Sequence, residues 1–286
     1  MLRQRVITAL ILVGVMFATL AVANPWPFAL VTLALLAAGA WEWGRLNLAP
    51  PTVSLALGGV LAAAGVYGVF SGLATSGLPG GLAGGWWLAV AVWVLSGAWV
   101  LRRGVSAWPA LPRALRWLCG LVLLFWAWVA LIEARSVGIN FMLSMLCVVW
   151  MADIAAYFGG KALGRRKLAP AISPGKSWEG VWSGMAGVLL LAVVWMALDR
   201  QFGFDGPSLY TRLVQAHGWL ITALALLALC AFSVVGDLIE SLVKRAAGAK
   251  DSSRLLPGHG GVLDRVDALL PVMPAAMALL TLGGKA

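Results

Sequence analysis

Apolar runs long enough to cross a bilayer limit this chain more than any other feature. A helix spans the hydrocarbon core with about 20 residues. No water is available there, so the backbone must satisfy its own hydrogen bonds, which it does as helix. Nine runs fit: 6–23, 28–44, 53–71, 86–101, 117–134, 139–158, 178–198, 217–236 and 263–282. Asn24-Pro25-Trp26-Pro27 and Ala49-Pro50-Pro51 read as tight turns between them, and Gly80–Gly85 as a glycine-rich loop. The expected fold is all-α: a polytopic integral membrane protein with about nine transmembrane helices. The runs use most of the 286 residues, so no separate soluble domain fits.

Composition agrees. Apolar residues make up 62% and charged residues 11%, against about 45–50% and about 25% in soluble domains. That excludes an ordinary soluble enzyme, a disordered chain and a nucleic-acid-binding module. The three cysteines, Cys119, Cys147 and Cys230, are scattered through apolar sequence and read as small core residues, not as a disulfide framework or zinc site. The sixteen tryptophans suit the membrane interface. Arg3, Arg5 and the run after them resemble a signal peptide. That run, 6–23, exceeds the usual h-region of about 7–15 residues, so an uncleaved first helix is expected.

Charge sets the orientation. With the N-terminus inside, seventeen of the 21 Lys and Arg fall on cytoplasmic segments, and only Arg135, Arg200, Arg212 and Lys285 fall outside. The net charge of +10 then reflects basic loops against anionic headgroups rather than nucleic acid. The C-terminus is expected outside.

The polar chemistry concentrates late in the chain. Residues 1–150 carry two acids, Glu42 and Glu133, and read as scaffold helices; 151–286 read as the site-bearing part. Asp153 lies within an apolar run, where a carboxylate is costly, with Tyr157 one turn on and Lys161 beyond. It is either a helix-end carboxylate paired with Lys161 or Arg165, or a site carboxylate facing a hydrated cavity. Ser173-Pro174-Gly175-Lys176-Ser177-Trp178-Glu179-Gly180 is a turn followed by a span that Ser177 caps; hydroxyls, a lysine and free amides also suit a phosphate. Asp237, Glu240, Ser241, Lys244 and Arg245 share one helical face. Beyond them come Lys250-Asp251, Pro257-Gly258-His259-Gly260-Gly261, and Asp264-Arg265-Val266-Asp267. A solvated helix with a Glu240–Lys244 pair explains each piece alone. It does not explain five carboxylates and five bases within residues 237–267 of so apolar a chain. Carboxylates favour a hard divalent cation such as Mg²⁺, and bases and glycine amides hold phosphates. The expected chemistry is metal-assisted and acts on a phosphorylated substrate at the inner leaflet.

Ser241-x-x-Lys244-Arg245-x4-Lys250-Asp251-x-Ser253-x-x-Leu256-Pro257-x-His259-Gly260-Gly261-x-x-Asp264-Arg265-x-Asp267 resembles the signature of the phosphatidate cytidylyltransferases (CDP-diacylglycerol synthases), with every fixed position present. Asp153 to Lys161 and Ser173 to Gly180 resemble that family's upstream motifs, with Ser177 where threonine is frequent. The resemblance is strong in the C-terminal half and general in the first 150 residues. It implies a nucleotidyltransferase of phospholipid biosynthesis: CTP + phosphatidate → CDP-diacylglycerol + pyrophosphate. It further implies a bacterial-type inner-membrane protein with its site facing the cytoplasm, dependent on Mg²⁺, with a monovalent cation such as K⁺ beside it, and forming a homodimer. Carried onto this chain, Asp237 and Asp264 become the metal carboxylates and Asp267 their support. Lys244, Arg245 and Lys250 hold phosphates and the leaving pyrophosphate. His259 donates a hydrogen bond or proton, or simply packs the turn. Asp153, Lys161, Ser173, Lys176, Ser177, Glu179 and Arg265 become substrate-binding, with nucleotide and lipid not distinguished between them. Two rivals differ in chemistry. A CTP-dependent lipid kinase would release CDP. A secondary transporter would spread its charges near the midplane rather than crowd them at one face.

The charge pattern predicts that a cysteine placed at position 168, in an otherwise cysteine-free chain, labels with an impermeant maleimide only from the cytoplasmic side. Labelling only from outside would overturn the orientation.

Overall fold

The computed structural model describes residues 2–76 and 84–282. Most of the expected glycine-rich loop, and Lys285, lie outside the described residues. The first half comprises α1 (Leu2–Ala21), α2 (Trp26–Leu46), α3 (Pro51–Phe70), a short α4 (Leu73–Ser76), α5 (Gly84–Arg103) and α6 (Arg113–Val137). There follow α7 (Ile139–Leu163), strands β1 (Lys167–Ala169) and β2 (Ser173–Ser177), α8 (Trp178–Gln201), α9 (Leu209–Ala246), α10 (Leu263–Val266) and α11 (Leu269–Leu282). Eight segments are long and apolar enough to cross a membrane: α2, α3, α5 to α9, and Leu263–Leu282. The first apolar helix is shorter, Val6–Ala21. The described residues thus support eight such spans and one shorter apolar helix where nine spans were expected.

Pro27 and Pro51, read as parts of turns, lie in the first turns of α2 and α3, where a proline loses no helical hydrogen bond. Two boundaries differ from expectation. The span expected at 217–236 is the middle of α9, which kinks at Gly218 (φ 75°, ψ 174°) and continues past Asp237 to Ala246. Nothing between Gly236 and the positive-φ Gly248 breaks the helix, so the charged face projects from the end of a membrane helix as one rigid piece. The turn expected around 173–177 is instead half of an antiparallel hairpin, with Lys167 opposite Ser177. The fold is therefore helical apart from this hairpin.

Glycine brings α7 and α8 together. A Cβ on Gly180 or Gly184 would lie 2.9 Å from the carbonyl oxygens of Ala156 and Ala152, and one on Gly187 would lie 2.6 Å from the Ala155 methyl. Small residues of this kind let backbones approach where no hydrophobic drive exists between helices. Tryptophan divides between two environments. Trp178, Trp182 and Trp219 are exposed as expected, whereas Trp43, Trp86, Trp93, Trp108 and Trp128 are buried. Burial is tolerated where the indole N–H finds an acceptor. Trp43 donates to the Arg116 carbonyl (2.7 Å), Trp108 to Asn47 Oδ1 (2.8 Å) and Trp128 to the Ala29 carbonyl (3.1 Å). These bonds tie α2 to α6 and to the turn that precedes it.

Gly120 lies against Trp43, and a Cβ there would sit 2.0 Å from the indole nitrogen. Gly120→Ala should therefore destabilise the detergent-solubilised protein by about 1–3 kcal/mol, as overpacking does. Gly59→Ala, with nothing within 4 Å of its Cβ, should leave the melting temperature unchanged or slightly raised. Equal melting temperatures for the two variants would refute the packing account.

Candidate active site

Six of the expected site residues line one cavity of about 480 Å³: Asp153, Lys161, Ser173, Lys176, Ser177 and Asp237. The α7–α8 glycine contact sets two of its walls, since Gly160, Gly180 and Gly184 lie on the lining. Asp153 and Tyr157 both face it, one turn apart on α7, as their spacing predicts. The hairpin lays Lys176 across the end of α9. Its Nζ is 2.5 Å from Asp237 Oδ2, and Ser241 donates to Asp237 Oδ1 at 3.2 Å. Ser177 caps α8 by accepting from the Gly180 amide at 3.2 Å. Opposite the hairpin, Gly236 lets the α10–α11 junction approach α9: a Cβ there would be 2.5 Å from the Asp267 carbonyl oxygen. Asp267 thereby comes close enough for its carboxyl to feel the charges of Asp237 and Lys176.

A second cluster sits farther along α9. Lys244 Nζ is 2.6 Å from both Glu240 Oε2 and Asp264 Oδ1. The Glu240–Lys244 pair read from the sequence is present, but it is one arm of a bridge to α10. The other oxygen of Asp264 accepts three donors: the Ser252 amide (3.0 Å), the Ser252 hydroxyl (3.0 Å) and the Gly261 amide (2.8 Å). Gly260 has φ 84°, and a Cβ on it would sit 2.5 Å from that same oxygen, so glycine alone fits.

The remaining expected residues lie apart from the cavity. Arg245 donates to the Ile172 and Ala249 carbonyls, joining the hairpin to the end of α9. Lys250, Asp251 and Arg254 line a second cavity of about 660 Å³ with Arg45 at the end of α2. Asp251 makes no ion pair among the described residues. Arg265 donates to the His259 carbonyl through Nε and Nη2, at 3.0 and 2.6 Å, and so braces the turn. His259 Nδ1 is buried without a partner. Glu179 accepts from the Arg165 and Arg166 amides and from Arg166 Nε, which fixes the start of the hairpin.

The sequence reading assigned no role to Glu42. Its side chain is fully buried and accepts four hydrogen bonds from the segment 252–263. The available signal was a lone acid in an apolar run, which is costly in a membrane and marks a partner.

Among the described residues, no three His, Cys, Asp or Glu side chains converge as a metal cage. Mg²⁺ rarely needs one: one or two carboxylates suffice when phosphates and water complete the shell. Asp237 fits that pattern, since it lines the cavity and offers hard oxygen donors, one of them paired with Lys176. Asp264 offers the same donor chemistry from the second cluster, where one oxygen is paired with Lys244.

The model of the cytidylyltransferase family matches residues 3–282. The chain belongs to that family. Among its relatives, the phosphatidate cytidylyltransferase of Pseudomonas aeruginosa is 40% identical, covering 99% of this chain and 98% of the relative. That of Haemophilus influenzae is 34% identical, covering 96% of each. That of Brucella melitensis is 49% identical over 148 residues, covering 51% of this chain and 47% of the relative.

Glu179 holds the Arg165-Arg166 stretch by three hydrogen bonds, and both arginines are exposed. Glu179→Gln should therefore speed limited trypsin cleavage at 165–167 while leaving the membrane helices intact. An unchanged cleavage rate would mean that other contacts hold the hairpin.

Proposed function

We propose that this cytidylyltransferase-family chain is a phosphatidate cytidylyltransferase, converting CTP and phosphatidate to CDP-diacylglycerol and pyrophosphate. The observation that carries the reading is the family match across residues 3–282, joined to near-full-length identity with relatives so named. The charged cavity at the end of an apolar bundle suits the two substrates. One is a soluble polyphosphate and the other a lipid whose phosphate lies at the membrane surface. On this reading the protein sits in a bacterial cytoplasmic membrane with the cavity facing the cytoplasm.

The reaction needs a phosphate oxygen of phosphatidate to bond the α-phosphorus of CTP, in line with the α–β bridging bond that breaks. The electron pair leaves with pyrophosphate. A phosphate nucleophile is already anionic, so no strong general base is required, and catalysis becomes positioning and charge neutralisation. Lys176 and Lys244 would hold phosphate oxygens; each is kept in place beforehand by a carboxylate 2.5 or 2.6 Å away. Lys161, Ser173 and Asp153 line the 480 Å³ cavity with Lys176 and would orient the substrates. Asp237 and Asp264 would hold Mg²⁺. When bound, Mg²⁺ supplies positive charge to the phosphate oxygens.

The purified protein, given labelled CTP, phosphatidate and Mg²⁺, should release pyrophosphate and form a CDP-lipid; CDP and a newly phosphorylated lipid would overturn the reading. Asp264→Asn should lower kcat/KM on the order of 10²–10³-fold, the loss typical of removing one electrostatic stabiliser. Asp251→Asn, at an exposed position without an ion pair, should stay near wild type. A near-normal Asp264→Asn enzyme with unchanged Mg²⁺ dependence would remove Asp264 from the site.

A further inference from the structure

We propose that Glu42, in α2, is a positioning residue for cytidylyl transfer: its carboxylate clasps both ends of the loop 252–263 and thereby aims Asp264. The role rests on the reading of the reaction given above. The clasp itself is a matter of geometry.

Glu42 is fully buried. A buried carboxylate is stable only when its oxygens are well supplied with donors. Here the supply is complete. Oε1 accepts from the Ser253 hydroxyl (2.6 Å) and the Val262 amide (2.9 Å). Oε2 accepts from the Ser252 hydroxyl (3.1 Å) and the Leu263 amide (2.8 Å). An ionised carboxylate has about four lone-pair positions; three meet donors of their own, and the fourth shares the Ser252 hydroxyl with Asp264. Two donors come from the start of the loop and two from its end, so a single side chain closes it. The donors lie 210 to 221 residues away in sequence.

The clasp leads directly to Asp264. The Ser252 hydroxyl lies between the two carboxylates, 3.1 Å from Glu42 and 3.0 Å from Asp264. It has one proton to give, so its orientation couples them. The amides of residues 261–263 are divided between the same two groups: Gly261 donates to Asp264, and Val262 and Leu263 donate to Glu42. The loop is pinched between them so tightly that a Cβ on Gly261 would lie 2.4 Å from Glu42 Oε1 and 2.1 Å from Ser252 Oγ. Asp264 in turn holds Lys244 at 2.6 Å. Glu42 lines neither the 480 Å³ nor the 660 Å³ cavity, so it acts through the loop and not on substrate.

The donor set selects a carboxylate and rejects its isostere. Each oxygen of Glu42 receives one backbone N–H, and an amide cannot reverse its polarity. Whichever way a glutamine turned, its NH₂ would face a backbone N–H. Glu42→Gln keeps the volume and leaves one oxygen to accept two donors, but sets an NH₂ against a backbone N–H and so loses half of the clasp.

The test has two arms. Hydrogen–deuterium exchange of the loop peptide, which needs no turnover, should be faster across 252–263 in Glu42→Gln at a near-wild-type melting temperature. Turnover, measured with CTP and phosphatidate, should fall roughly 10–100-fold in kcat/KM, the range found for partners that orient a ligand from behind. Because Glu42 acts through Asp264, Glu42→Gln combined with Asp264→Asn should be no worse than Asp264→Asn alone, as expected of coupled neighbours. A merely structural residue would instead add its loss. Unchanged exchange, normal turnover or full additivity would each overturn the proposal. If Glu42→Gln does not assemble, Ser252→Ala takes its place: it cuts the link between the carboxylates and leaves Glu42 three donors. Normal turnover in that variant would overturn the proposal too. A wild-type protein that makes no CDP-lipid would sink the reaction reading, and the exchange arm would still decide whether Glu42 holds the loop.

Discussion

Lys244 stands between two carboxylates at the end of a membrane helix, 2.6 Å from each, and the arrangement of the charged region follows from that contact. Glu240 and Lys244 belong to α9, and Asp264 begins the last span. Each would be costly alone in so apolar a setting, because breaking one partner from a buried pair strands the other. Together they lock α9 to α10 and leave the intervening residues 247–262 as a loop with fixed ends. The Lys176–Asp237 pair repeats the device about two turns back from Lys244 along α9, this time joining the hairpin to the helix. Lys176, reaching Asp237 from the hairpin, and Lys244, reaching from α9 to Asp264 on α10, set the shape of the charged region.

The hairpin reaches Asp237 because α7 and α8 approach without side chains between them. Gly180, Gly184 and Gly187 place α8 against the backbone of α7. The chain that joins the two helices must therefore turn in a small space. It does so as two short strands, with Ser177 capping the helix that follows and Glu179 fastening the strand that precedes. A bulkier α7–α8 contact would widen the cavity and carry Lys176 away from its partner.

Much of this was legible in the sequence, and the rest was hidden for identifiable reasons. Spans could be read because hydropathy is a local property, and eight appear as helices of sufficient length. The residues of Asp153, Ser173, Lys176 and Asp237 could be picked out because charge and hydroxyls are rare in such a chain. Their meeting in one cavity could not be read, since it depends on the α7–α8 approach. The helical face at 237–245 could be read from its spacing, but not that it continues the span 217–236 as one helix. Buried tryptophans were missed because an indole's acceptor, such as the Arg116 carbonyl for Trp43, lies far off in sequence. Glu42 was visible as an oddity, but its partners are more than 200 residues away. Reading residues 1–150 as scaffold helices gave no hint that Glu42 contacts the segment 252–263.

That separation has a consequence for how the protein is made. A chain emerges from the ribosome at about 5–20 residues per second, N-terminal part first. Glu42 enters the bilayer with α2, whereas Ser252, the earliest of its four donors, is synthesised 210 residues later. For some 10–40 seconds at that rate, the nascent chain carries an unsatisfied carboxylate inside an otherwise apolar helix. During that interval Glu42 lacks the donors that the finished protein gives it. Arrival of the final helix supplies them, so the closing of the loop 252–263 and the satisfaction of the second helix's carboxylate become a single event in biogenesis.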